Sequence, residues 1–247
     1  MNQPRPILPS TATQLALGVR LAANRRLDNF IAGENTQALQ TIVEYINGAL
    51  NGYLYLQGAR GTGKSHLLQG ACAEMASRGV QVSYIPLTER AELKVPILAS
   101  LAHSELICVD DIDAIADDSE WQRAVFNLYN EMEGTTTRII FSAQHEPTCL
   151  ALADLASRLQ AALRVIINPA TDISRAQVLA QRAQAFGFDL EDDAIRYILQ
   201  HYSRDMHHLV ALLDDLDAFS LAAKQRVSLS LLRKFLRQRD AERDCSK

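Results

Sequence analysis

The sequence has little of what would tie a chain to a membrane, a metal or a disulfide frame. Its 247 residues hold one tryptophan, Trp121, and four cysteines, Cys72, Cys108, Cys149 and Cys245, with no C-x-x-C pair among them. Thiols so far apart read as reduced and unbridged, as in a cytosol, rather than as a disulfide scaffold or zinc site. His103, His145 and His201 are scattered and give no metal-ligand spacing. No run of about 18 or more apolar residues offers a membrane span. Nor does a basic start lead into a long apolar stretch, as in a secretory leader. Excess positive charge is missing too: the formal net charge is −4, which argues against a chain whose main work is to coat nucleic acid. A local basic patch is compatible with that total.

What is present suffices for a large core, since 48% of the residues are hydrophobic. Residues 1–27 stand apart, with Pro4, Pro6, Pro9, a Ser/Thr patch and one short apolar cluster, "QLALGV" (14–19); this is the composition of a mobile arm. "NTQALQTIVEYINGAL" then sets Leu39, Ile42, Val43 and Ile46 on one helical stripe. Strand-like runs follow: "YLYLQ" (53–57), "VQVSYIPL" (80–87), "ELICVDD" (105–111), "TRIIFSA" (137–143) and "LRVIINP" (163–169). Between the last four lie helix-length amphipathic stretches, "ERAELKVPILASLA", "SEWQRAVFNLYNEME" and "LADLASRLQAA". Such alternation predicts a parallel sheet flanked by helices, because each parallel crossover needs a dozen or more residues. From about residue 170 the strands stop and four helices follow, with Asp172 and Glu191 near helix starts and Gly187 at a C-terminal cap. The expected organisation is an arm (1–27), an α/β nucleotide-binding core (28–169) and an all-helical lid with a basic tail (170–247).

The first chemical signal is Gly58-Ala-Arg60-Gly61-Thr62-Gly63-Lys64-Ser65, an uninterrupted G-x-x-x-x-G-K-[ST] between a predicted strand and a predicted helix. Its glycines let backbone N–H groups turn inward around phosphate oxygens, and the helix adds its positive N-terminal end. Lys64 is expected to reach the β- and γ-phosphates of ADP or ATP, and Ser65 to ligate Mg²⁺. The second signal is the apolar strand "LICVDD". Asp110 at its end is expected to hold Mg²⁺ through water, and Asp111 stands where a base could polarise an attacking water. An Asp-rich helix cap is the alternative for both Asp110 and Asp111. Trp121 and Cys108 read as core.

At this point a resemblance is plain. "DNFIAGENTQAL", "GTGKSHLL", "LICVDDID" and "DLASRL", in this order and spacing, resemble the AAA+ core of the bacterial replication initiator DnaA, over about residues 27–237. The chain stops where the initiator adds its helix-turn-helix DNA-binding domain. It therefore looks like the DnaA-related regulators that lack this domain and inhibit re-initiation. The resemblance implies a P-loop AAA+ fold with a helical lid, and it puts Phe30, Ile31 and His66 beside the loop in the nucleotide site. Arg158 in "DLASRL" matches the family's arginine finger, presented to a triphosphate on a neighbouring subunit; an ordinary helix-surface arginine is the alternative. The family's first sensor is usually acidic but is Gln144 here, with Ser142 nearby; the second is usually arginine but is His207, or His208 if the register slips. Neither replacement carries a full charge at pH 7, so weak or no ATPase activity of its own is expected.

In the arm, Gln14, Leu15 and Leu17 resemble the short peptide with which replication proteins dock on the DNA sliding clamp, the beta subunit of DNA polymerase III. A hydrophobic end that folds back on the core is the alternative. The tail gathers Lys224, Arg226, Arg233, Lys234, Arg237 and Arg239, either a solvated helix face or a phosphate-tracking patch. The implied partners are DnaA, the clamp, and DNA through the clamp, in the cytoplasm at the nucleoid; a homo-oligomer is compatible and a membrane is not. Two rivals stay open: an autonomous AAA+ ATPase of the helicase-loader or transposition-helper type, and a scaffold without finger chemistry.

Overall fold

Five short apolar runs, four of them rich in β-branched residues, become five parallel strands. The computed structural model describes residues 25–225 and 227–244; Gln14, Leu15, Leu17, Arg226 and Cys245 lie outside them. The described chain divides into two units: one comprises the chain up to Phe30, Gln37–Gly58 and Gly63–Ile167, the other Ile31–Thr36, Ala59–Thr62 and Asn168–Lys247.

The first unit is built on β1 (Leu54–Gln57), β2 (Val82–Pro86), β3 (Leu106–Asp110), β4 (Arg138–Ala143) and β5 (Leu163–Ile166). Their order in the sheet is β2-β3-β4-β1-β5, and every pairing is parallel. Because side chains alternate along a strand, β1 to β4 each feed two cores, whereas the edge strand β5 buries only Val165, on one of them. Leu54, Leu56, Leu106, Cys108 and Ile140 pack with Ile42 and Tyr45 of α1 (Thr36–Ile46) and with Leu67, Leu68 and Cys72 of α2 (Lys64–Ser77). Tyr55, Ile107, Val109, Ile139 and Phe141 face the other way, onto Trp121, Val125 and Leu128 of α3 (Ser119–Met132) and Leu155 and Leu159 of α4 (Ala153–Gln160). Helices cover both faces, which is why the inner strands read as continuous apolar runs rather than alternating ones. Trp121 and Cys108 are core residues, as expected.

One element differs from the sequence reading. "ERAELKVPILASLA" has helical length, yet Val95–His103 forms 3-10 turns. Pro96 sits in the first turn, where it removes an N–H and restrains the residue before it. Leu98 and Leu101 are the buried anchors, and their spacing of three matches the 3-10 period, which eclipses i and i+3.

The second unit holds α5 (Asp172–Ala185), α6 (Asp192–His201), α7 (Met206–Ala223) and α8 (Leu229–Asp244) around Leu179, Ile195, Ile198, Leu209, Leu213, Leu216 and Leu232. Thr171 caps α5 by accepting the Ser174 N–H, and Asp205 caps α7 by accepting those of His207 and His208. Gly187 follows α5 and donates to Gln184 O, while Phe188 N–H reaches back to Ala183 O. This closes the helix as the glycine suggests. Asp172 lies in the first turn of α5, and Glu191 occupies the cap position of α6.

Candidate functional site

β1 ends at Gln57 and the chain turns at once into the glycine loop, with Gly58 N–H held by Ala143 O at 3.1 Å. Gly61 and Gly63 both take positive φ, 76° and 99°. Gly63 is constrained twice: its backbone is left-handed, and a Cβ there would come within 2.7 Å of Phe30 Cε2. At Gly63 the loop thus lies against an aromatic ring, with no room for a side chain at that position. Thr62 is buried and donates its hydroxyl proton to Ala59 O at 2.9 Å; Arg60 is exposed. α2 starts at Lys64 without a side-chain cap, the geometry in which N-terminal amides face an anion. Lys64 is buried, and its ammonium donates to Gly58 O at 2.8 Å. Burial pulls its pKa below the ordinary lysine value, opposed by Asp111, Asp110 and Asp113 in that order.

Phe30 and His66 meet edge to face, with ring centroids 5.4 Å apart. His66 Nε2 lies 2.9 Å from both Arg26 O and Asn29 Oδ1. Both are acceptors, so Nε2 carries the proton. Burial, more than any other influence, lowers the pKa of His66. The histidine therefore pins the segment carrying Phe30 against the first turn of α2. Ile31 is half-buried and falls in the other unit.

Asp110 ends β3 and is 2% exposed. Tyr84 of β2 donates its hydroxyl proton to Asp110 Oδ2 at 2.5 Å, and the Ser142 hydroxyl of β4 hydrogen-bonds Asp110 Oδ1. Ser142 Oγ also accepts the Asp111 N–H at 2.9 Å. Two neutral donors thus compensate a carboxylate taken out of water, while each oxygen keeps lone-pair capacity. Asp111 is left-handed, with φ 54°. It occupies the cap position of a 3-10 turn without a capping side-chain bond, so the cap reading does not account for its side chain. The donor set fits the implied groups: phosphate suits the glycine loop and Lys64, and the hard oxygens of Ser65 and Asp110 suit Mg²⁺.

The sensors fall on separate elements. Gln144 is exposed just past β4, and Asp113 Oδ2 holds its backbone N–H at 2.9 Å. His207 and His208 are exposed in the first turn of α7, in the second unit. In the tail, Arg239 pairs with Asp215 at 2.9 Å and Arg233 lies over the Tyr197 ring at 5.6 Å. Both are thereby engaged within their own unit.

Arg158 sits in the last turn of α4. Its Nη1 donates to Glu133 Oε1 at 2.7 Å, and its Cζ lies 5.5 Å from the Tyr129 ring centroid. That ring meets Tyr53 edge-on at 4.6 Å. Tyr53 immediately precedes β1, so these contacts tether the guanidinium at the N-terminal end of β1, whereas the glycine loop leaves its C-terminal end. Sequence reasoning missed Tyr84, Asp113, Asn29, Glu133 and Tyr129. No local motif marks them, because each acts on a partner that only the fold brings near.

Residues 21–168 match the model of the bacterial DnaA ATPase domain, and residues 172–236 match that of the Hda lid domain. Among solved structures, domain III of Thermotoga maritima DnaA superposes with a TM-score of 0.77 at 18% identity, over 89% of this chain and 98% of that one. A DnaA bound to AMPPCP and single-stranded DNA gives 0.71 at 24% identity, over 89% and 70%. The Thermotoga maritima RuvB branch migration motor gives 0.66 at 15%, over 88% and 73%. At these identities the solved structures establish the fold, a P-loop AAA+ sheet with a helical lid. The family follows from the ATPase-domain match, which spans more than half of the sequence: the chain belongs to the bacterial DnaA ATPase-domain family and carries a lid of the Hda type.

Proposed function

We propose that the chain is a nucleotide-switched regulator of replication initiation that docks on the DNA sliding clamp and lends Arg158 to the ATP bound by DnaA. The observation that carries this reading is the tether of Arg158 at the opposite end of β1 from the chain's own loop. Tyr53 and Gly58 flank that strand, about 16 Å apart along an extended backbone. A guanidinium held there by Glu133 and Tyr129 is out of reach of its own γ-phosphate but half-exposed toward a neighbour. On a partner's triphosphate it stabilises the charge that spreads over the transferring phosphoryl group, a contribution worth about 10³–10⁵ in rate.

The chain's own site then serves as a switch. Lys64 and the α2 N-terminus hold the phosphates, Phe30, Ile31 and His66 frame the nucleotide, and Ser65 with Asp110 orders the Mg²⁺ shell. Bound Mg²⁺ would neutralise phosphate charge and orient the terminal phosphate. The DnaA relative bound to AMPPCP supports an adenine nucleotide here. Gln144 and His207 offer no acidic or arginine sensor, which supports slow turnover in cis. Docking is assigned to Gln14, Leu15 and Leu17, so that hydrolysis is confined to clamp-loaded DNA and initiation does not recur.

Autonomous ATP hydrolysis keeps one observation in its favour, the proximity of Asp111 to the Lys64 charge. One experiment separates the readings: turnover of radiolabelled ATP on DnaA, with and without this protein, clamp and DNA. Stimulation that needs all three supports trans-activation; phosphate release by this protein alone at the same rate overturns it.

A further inference from the structure

Arg158 is cradled by the C-terminal end of α3. Glu133, the residue after that helix, takes one guanidinium N–H through Oε1, and the buried Tyr129 ring one turn earlier lies under the guanidinium carbon. The cradle itself is anchored. Tyr129 O accepts both the Glu133 N–H at 3.0 Å and the Tyr53 hydroxyl at 3.4 Å. Tyr53 also packs edge-on against Phe141 of β4, at 6.5 Å.

Resting on the trans-finger reading above, we propose that Glu133 and Tyr129 are positioning residues that orient the Arg158 guanidinium for delivery to a partner-bound triphosphate. A guanidinium has five N–H donors in a planar fork. Glu133 occupies one, at Nη1, and the Tyr129 contact is made through the face and consumes none. A phosphate can therefore be met by the remaining edge while the cradle stays in place. The pair also has the right strength for a guide. Both side chains are about half-exposed, 41% for Arg158 and 52% for Glu133, and an exposed ion pair is too weak to lock a side chain away. It is sufficient, together with a cation–π contact, to favour one rotamer of a flexible arginine. Tyr53 adds no competing charge: burial above all, then Tyr129 and Glu133, pushes its phenol up to about 12, opposed by Arg158, so it stays neutral at physiological pH. The orienting carboxylate is thus the one from Glu133.

The test is DnaA-bound ATP turnover at saturating protein, with clamp and DNA present, using full-length chains. Glu133→Gln should lower the maximal stimulated rate by roughly tenfold, the scale of a small misplacement of a reacting group, with an unchanged half-saturating concentration. Tyr129→Leu should do the same and Tyr129→Phe should stay within about twofold, because the ring and not the hydroxyl meets Arg158. Melting temperature and ADP binding report folding; if Tyr129→Leu does not fold, Glu133→Gln decides alone. A wild-type rate for Glu133→Gln overturns the inference, as does a raised rate, which would make the pair a latch. If Arg158→Ala itself keeps full stimulation, the trans-finger reading falls first, and the cradle with it.

Discussion

Ser142 and Asp110, on neighbouring strands β4 and β3, are joined by a hydroxyl–carboxylate hydrogen bond inside the sheet. The same oxygen of Ser142 accepts the Asp111 N–H, so one hydroxyl positions both acidic residues. Ser142→Ala removes a donor from a carboxylate that is 2% exposed, a loss of about 1–3 kcal/mol. Chemical denaturation should show that loss, and Mg²⁺-dependent ADP affinity should fall with it. Tyr84→Phe removes the other donor and should act in the same direction.

Gly63→Ala is expected to abolish nucleotide binding. The substitution meets a φ of 99° and a Phe30 contact at 2.7 Å, so either the loop or the ring must shift. Backbone strain of this kind costs about 1–3 kcal/mol. ADP should raise the melting temperature of the wild type and leave that of Gly63→Ala unmoved. An equal thermal shift in both proteins would count against the loop as the binding site.

His66 predicts a pH dependence. Its folded pKa lies below 6.5 because of burial, so between that value and 6.5 the unfolded chain binds more protons. Stability therefore rises with pH through this window, is fully present above about 6.5, and is lost as pH falls through the folded pKa. Thermal melts between about pH 5 and pH 8 should show the slope in the wild type. His66→Gln, which cannot titrate, should flatten it.

Changing Gln14, Leu15 and Leu17 together to Ala should abolish binding to the sliding clamp and leave the melting temperature of the protein unchanged. Surface plasmon resonance on immobilised clamp gives the first quantity and calorimetry the second. Unaltered clamp affinity would assign the arm another partner.

Arg158→Ala should leave fold, ADP binding and clamp binding intact while eliminating stimulation of ATP hydrolysis on DnaA. A finger adds charge in the transition state, so its loss appears in rate rather than affinity. Arg158→Lys should rescue poorly, because an ammonium cannot make the planar two-pronged contact. A pure scaffold would retain its full effect in either variant.

The glycine loop was legible in the sequence because its chemistry is local: consecutive residues supply the positive φ values, the helix N-terminus, Lys64 and Ser65. The Asp110 strand was legible for the same reason, an apolar run ending in a carboxylate, and so were the lid helices, whose stripes repeat within a few turns. What surrounds Asp110 was not. Tyr84 lies 26 residues before it and Ser142 lies 32 after, and strand order and register alone bring three such side chains together. Pro96 and the spacing of Leu98 and Leu101 were visible, yet the choice of 3-10 turns over a helix came from burying those two leucines. Arg158 could be recognised from "DLASRL", but its tether could not, since Glu133 is 25 residues away. Local backbone chemistry is written in consecutive residues, whereas the partners of a buried carboxylate or an outward-facing arginine exist only once the sheet has closed and set which side chains meet.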